Sequence, residues 1–145
     1  MESSNPSTID VAAYILAYFK AVDTWFLQKI VYYCQAWCLG IYKAPFVNDT
    51  FEDYANGPVN KKLLDSHRGK RVVNKKDYPI THTFTLFEKR HMNNVIATYE
   101  FMDGETLREY THQEPPWKIT RGNLQDGAPD NRVIANELMM EYYHN

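Results

Sequence analysis

From position 8 onward, apolar residues recur at intervals of three and four, the pattern of helices that bury one face. Val11, Ile15 and Tyr18 fall on one line, with Ala12, Leu16 and Phe19 on the line beside it. Ser7-Thr8-Ile9-Asp10 precedes them with the form of a capping box, Asp replacing the usual Glu. The spacing therefore predicts a helix from about 8 to Ala21. Asp23-Thr24 offers a second N-cap, and the clearest helix follows from Trp25 to Tyr42. Its stripes are Phe26, Ile30, Tyr33, Trp37 and Ile41, and beside them Leu27, Val31, Cys34 and Cys38. Two adjacent stripes bury most of the circumference. What stays polar is a narrow seam of Gln28, Tyr32 and Gln35, with Lys29 alongside.

Lys43-Ala44-Pro45 ends this central helix. A loop or short extended piece with anchors Phe46, Phe51 and Tyr54 runs to the turn signal Asn56-Gly57-Pro58. Val59, Leu63 and Leu64 then form a short helix that stops at Gly69. Residues 70–82 read as extended, with no evident sheet partner. Phe84, Phe87, His91, Val95 and Tyr99 predict a helix over about 83–101, and Asp103-Gly104 breaks it. A short helix over 105–111 is expected to stop at Pro115-Pro116, and a last one runs from about Asn131 to Tyr143 with Ile134, Leu138 and Tyr142 buried. The expected fold is mainly α: a single compact domain of five or six helices around a central buried helix, with short extended segments. Residues 1–7 form a flexible lead and 8–145 the domain.

Composition narrows the function. The 145 residues are 44% hydrophobic and 23% charged, which excludes a disordered chain or a coiled coil. A formal charge of −2 argues against nucleic acid as the main partner, although Lys61 to Lys76 is locally basic. That run reads either as a solvated face or as a contact for phosphate or an acidic protein. The polar N-terminus predicts no signal peptide, and no apolar run reaches the roughly 20 residues of a membrane helix. The expected location is cytoplasmic. Aromatics are abundant, with 11 Tyr, 7 Phe and 3 Trp, and can serve a core or a contact surface.

Chemistry is sparse. The five histidines show no metal-chelating spacing, and Cys34 and Cys38 sit among buried apolar residues, so neither metal nor cofactor is expected. No nucleophile elbow or phosphate loop is present. Asp65-x-His67 and His112-x-Glu114 could each orient an imidazole, which leaves a small His-dependent hydrolase or transferase as one alternative and a nucleic-acid accessory protein as another. The Gln28-Lys29-Tyr32-Gln35 seam must find partners. It either pairs inside the fold, with backbone of the Asn56 turn, or edges a partner-facing groove with Tyr32 as anchor.

Three segments together resemble one family. Gln28-Lys29-Ile30-Val31-Tyr32-Tyr33-Cys34-Gln35-Ala36-Trp37 resembles the LQKLVYYAQAW helix of the Panacea domain. Tyr54-Ala55-Asn56-Gly57-Pro58-Val59 is similar to its AWxNGPV turn, with Tyr for Trp. Thr111-His112-Gln113-Glu114-Pro115-Pro116-Trp117 is similar to its THxxxPW segment. Their order and spacing match over about residues 8–143. The family includes SocA-like antitoxins and the phage-associated protein GepA. The resemblance implies a small helical antitoxin, not an enzyme, that neutralises a cognate protein toxin by direct binding. In one branch the antitoxin hands its toxin to a protease. Many relatives carry an added DNA-binding domain; this chain stops where the Panacea domain stops, so autoregulation through DNA is not expected. The residues expected to bind the partner are Gln28, Lys29, Tyr32, Gln35, Asn56, His112 and Trp117.

Overall fold

Ser7 and Asp10 close the capping box that the sequence announces, each side chain accepting from the other's backbone N–H, and open α1 (Thr8–Phe19). The computed structural model describes residues 4–144; positions 1–3 of the expected lead lie outside the described residues, as does Asn145. Within the lead, Asn5 donates to the Asn48 side chain at 3.2 Å. Lys20 turns the chain with a φ of 74°. β1 (Ala21–Asp23) follows, and Asp23 then caps α2 (Thr24–Tyr42) by accepting from the Phe26 N–H at 2.8 Å. Next come α3 (Lys61–His67), β2 (Val72–Asn74), α4 (Leu86–Tyr99), α5 (Gly104–Gln113), α6 (Pro115–Arg121) and α7 (Asn136–Tyr142).

The mainly helical architecture is the expected one, with seven helices among the described residues rather than five or six. The added helix is α6. Pro115-Pro116 starts it instead of stopping α5, because a missing N–H costs nothing in a first helical turn. The extended segment at 72–74 does have a partner. It pairs antiparallel with β1, Val22 opposite Val73, in a sheet of two short strands. α4 begins later than its apolar spacing suggested, since Thr85 and Glu88 form its capping box. α7 also starts late, so Met139 and Tyr143 are buried while Tyr142 is 44% exposed.

α2 is central, and α7, α5 and α4 are its main neighbours. Aromatics concentrate around it. Tyr33 stacks on Tyr99 at 4.2 Å, and Trp37 Nε1 donates to the Tyr99 hydroxyl at 2.8 Å. Tyr33 and Tyr143 both donate to the half-buried Glu114 carboxylate, at 3.0 and 2.5 Å. Much of the aromatic surplus thus builds the core, not a contact surface. At Gly40 a Cβ would lie 1.2 Å from the Tyr143 carbonyl oxygen, so glycine lets the chain's end lie directly on α2. Among the described residues no helix is long and apolar enough to cross a membrane.

Candidate partner-binding cleft

The seam on α2 divides by what covers it. Gln35, 1% exposed, clamps the 45–47 loop: its Oε1 accepts from the Phe46 and Val47 N–H groups at 2.8 and 3.0 Å, and its Nε2 donates to the Val47 carbonyl at 3.0 Å. Tyr32 is fully enclosed, its ring against Phe51 and its hydroxyl 3.1 Å from that of Tyr143. Both side chains are spent inside the fold, and neither reaches a surface that a partner could touch.

Gln28 acts in the same way one turn earlier. Its Oε1 accepts from the Asn60 N–H at 3.0 Å, and its Nε2 faces the Asn60 carbonyl and His67 Nε2 at 3.3 and 3.0 Å. An amide can only donate from Nε2, so the neutral His67 ring accepts there. Gln28 differs from Gln35 in lining a cleft of about 860 Å³. Lys29 lines it too. The cleft lies between the start of α2, with Trp25 at its edge, the 54–56 loop, the end of α3 through Lys70, and the 127–131 loop.

Lys29 is 1% exposed. Among the described residues its Nζ has no hydrogen bond and no ion pair. Burial, and secondarily the Arg108 guanidinium, carry its amine from the ordinary 10.5 down to about 7, with Asp23 acting weakly the other way. It lies against Gly57, whose φ is +113°; a Cβ there would come within 2.5 Å of Lys29 Cε and 2.9 Å of Thr111 Oγ1. Gly57 therefore supplies both the turn and the space for the lysine. Asn56, exposed at the cleft, accepts from Arg108 Nε at 3.0 Å through Oδ1, and its Nδ2 makes no hydrogen bond among the described residues.

The remaining expected residues support this loop from beneath. His112 stacks on Trp117 at 4.0 Å, nearly parallel. Trp117 Nε1 donates to the Tyr54 carbonyl at 2.9 Å, and buried Arg121 lies over the Trp117 ring and donates to the Asp53 carbonyl at 3.0 Å. Burial, Arg108 and Lys29 lower His112 to about 4, so the ring is neutral at neutral pH.

His112 and Glu114 form no acid–base pair. Glu114 is occupied by Tyr33 and Tyr143, while His112 serves the 54–56 loop. Asp65 is held by Lys61 and Arg68, apart from His67, which Gln28 holds. Cys34 and Cys38 are free thiols whose pKa values burial raises, Cys38 to about 11. No group of three or more His, Cys, Asp or Glu that could hold a metal occurs among the described residues.

Of the cleft residues, Arg68 entered the sequence reading only as part of the basic Lys61–Lys76 run, and Trp25 and Asp130 were missed; Trp25 left a signal, as an aromatic off both stripes of its helix.

The sequence profile of the antitoxin SocA-like Panacea domain matches residues 27–118, well over half of the chain, and the protein belongs to that family. No curated protein and no solved structure matches the chain.

Proposed function

We propose that this protein is the antitoxin of a toxin–antitoxin pair and neutralises its cognate protein toxin by direct, stoichiometric binding. The observation that carries the reading is the family match, whose span includes most of α2, the 54–58 turn, α3 and α5. α2, the turn and α3 line much of the cleft. Of the seven residues expected at the interface, Gln28, Lys29 and Asn56 are the ones this reading places against the toxin. Tyr32 and Gln35 hold the core, and His112 and Trp117 hold the loop that carries Asn56.

The test is co-expression with the toxin encoded beside the gene. Growth should be restored and the two proteins should co-purify. Toxicity unchanged by the protein, with no complex, would reject the reading. His112→Ala that still melts cooperatively should neutralise like the parent, because the ring supports a loop and transfers no proton. A folded His112→Ala that bound toxin yet failed to neutralise it would instead point to chemistry at that ring. The same face serves a toxin that is merely blocked or one handed to a protease; toxin half-life in cells separates the two.

A further inference from the structure

We infer that the cleft beside α2 is a carboxylate-binding site, in which Lys29 Nζ and Asn56 Nδ2 receive an Asp or Glu side chain presented by the toxin. The inference rests on the antitoxin reading for the identity of the partner. It rests on the cleft itself for the chemistry.

A buried ammonium without a counter-charge is costly, and proteins either pair it or leave it neutral. Lys29 is buried, without a hydrogen bond or ion pair among the described residues, and lines the cleft with its Cε and Nζ against Gly57. Charged and titratable groups face it from several elements. From α5 come Arg108, which is cationic, and His112, which is held neutral. From α3 comes His67, whose pKa burial also lowers. At the end of β1, Asp23 is engaged in capping α2. Farther out, Arg68 and Lys70 stand at the rim, each facing its own acid, Asp65 and Asp77. Asp130 is the lone carboxylate of the lining and is drawn to Arg132 at 2.6 Å. The cleft floor therefore has positive charge and a spare amide donor; the buried His112 Nε2 nearby has no partner among the described residues, but a neutral ring supplies no counter-charge. A carboxylate has two oxygens and supplies what is missing.

Such pairing returns the amine toward its ordinary proton affinity, so binding takes up a proton wherever free Lys29 is neutral. Free Lys29 titrates near 7. Affinity should be flat between pH 6 and 7 and then fall about tenfold per unit above 7 until the amine of the complex itself titrates. His112, near 4, is already neutral across that range.

The experiment titrates wild type and Lys29→Met against the cognate toxin calorimetrically at pH 6.5, 7.5 and 8.5, with melting measured in parallel. We expect Lys29→Met to stay folded, to lose on the order of thirtyfold in affinity and to lose the pH dependence. A folded Lys29→Met that binds like the parent overturns the site. So does a flat wild-type profile, which needs no variant. Should wild type not bind the toxin at all, the antitoxin reading falls and a second arm decides the site. In that arm an acetylated, amidated tetraglutamate peptide should shift the amide resonances of Asn56 and Gly57 in wild type and not in Lys29→Met, while tetraglutamine should not shift them. Equal response to both peptides, response to neither, or saturation by inorganic phosphate at lower concentration than tetraglutamate overturns the carboxylate assignment.

Discussion

Lys29→Met should make the free protein more stable, and the size of the gain follows from the amine's surroundings. In the unfolded chain Lys29 keeps its proton up to about 10.5; in the fold it releases it near 7. At 1.36 kcal/mol per pH unit, that difference places about 5 kcal/mol of penalty on the native state wherever the side chain must be charged. Between pH 7 and 10.5 the unfolded chain binds more protons, so the penalty is complete below 7 and fades as pH rises to 10.5. Methionine keeps most of the apolar stem, leaves out the charge and is one heavy atom shorter, which leaves a small void beside Gly57. Discounting for that void and for local relaxation, we expect a net gain of about 2–4 kcal/mol at pH 6, on the order of 10 °C in melting temperature for a chain of this length. Urea titrations of both proteins at pH 6, 8 and 9.5 read this directly. The difference between them should be largest at pH 6 and nearly gone at 9.5. A variant less stable than the parent at pH 6, or a difference that does not change with pH, would refute the account of Lys29 as an unpaired buried amine.

Three further outcomes follow from the geometry. Gly57→Ala combines a positive φ with a Cβ crowding Lys29 and Thr111, and should cost about 2–3 kcal/mol; a melting temperature within 2 °C of the parent would exclude it. Gln35→Ala leaves two N–H groups and a carbonyl of the 46–47 loop without their partner and should lose at least about 2 kcal/mol, with toxin affinity per folded molecule unchanged; a stable variant with weakened binding would return Gln35 to the interface. Burial raises the Glu114 pKa against the opposing hydrogen bonds of Tyr143 and Tyr33, so its contribution is fully present below pH 4.5 and lost as pH rises through the raised value. Relative to Glu114→Gln, wild type should therefore lose stability as pH rises above about 4.5 in urea titrations, and a gain over that rise would reverse the assignment.

Periodicity and capping chemistry were enough to locate α1 and α2 because both helices carry their start signals in sequence. Ser7 with Asp10, and Asp23 before Thr24, close the caps that their types suggest. α6 was lost to an ambiguity of proline, which ends one helix and begins the next with the same residue. β1 was invisible for a different reason. Three residues between two helices carry no alternation, and their partner lies some fifty positions away at 72–74. The three motif segments, by contrast, converge in space. The α2 motif, the Asn56 turn and the His112–Trp117 segment meet at one loop through Lys29, Gly57 and the Trp117–Tyr54 hydrogen bond.

The seam shows where a helical pattern stops being informative. Spacing places Gln28, Tyr32 and Gln35 on one side of α2, but it says nothing of what lies over that side. The chain covers the seam with three different things: the 45–47 loop on Gln35, the C-terminal Tyr143 on Tyr32, and Asn60 with His67 on Gln28. Each polar side chain is matched donor to acceptor, as burial demands. Lys29 sits one position off that line and breaks the rule, since a methionine there would pack without any unmatched charge. Three long polar groups on one helix are satisfied and the fourth is left without a hydrogen bond among the described residues; the proposed toxin carboxylate is the acceptor that Lys29 lacks. Under the carboxylate proposal the domain is completed by its partner, and Lys29, for which the core alone has no use, carries the decisive charge of that interface.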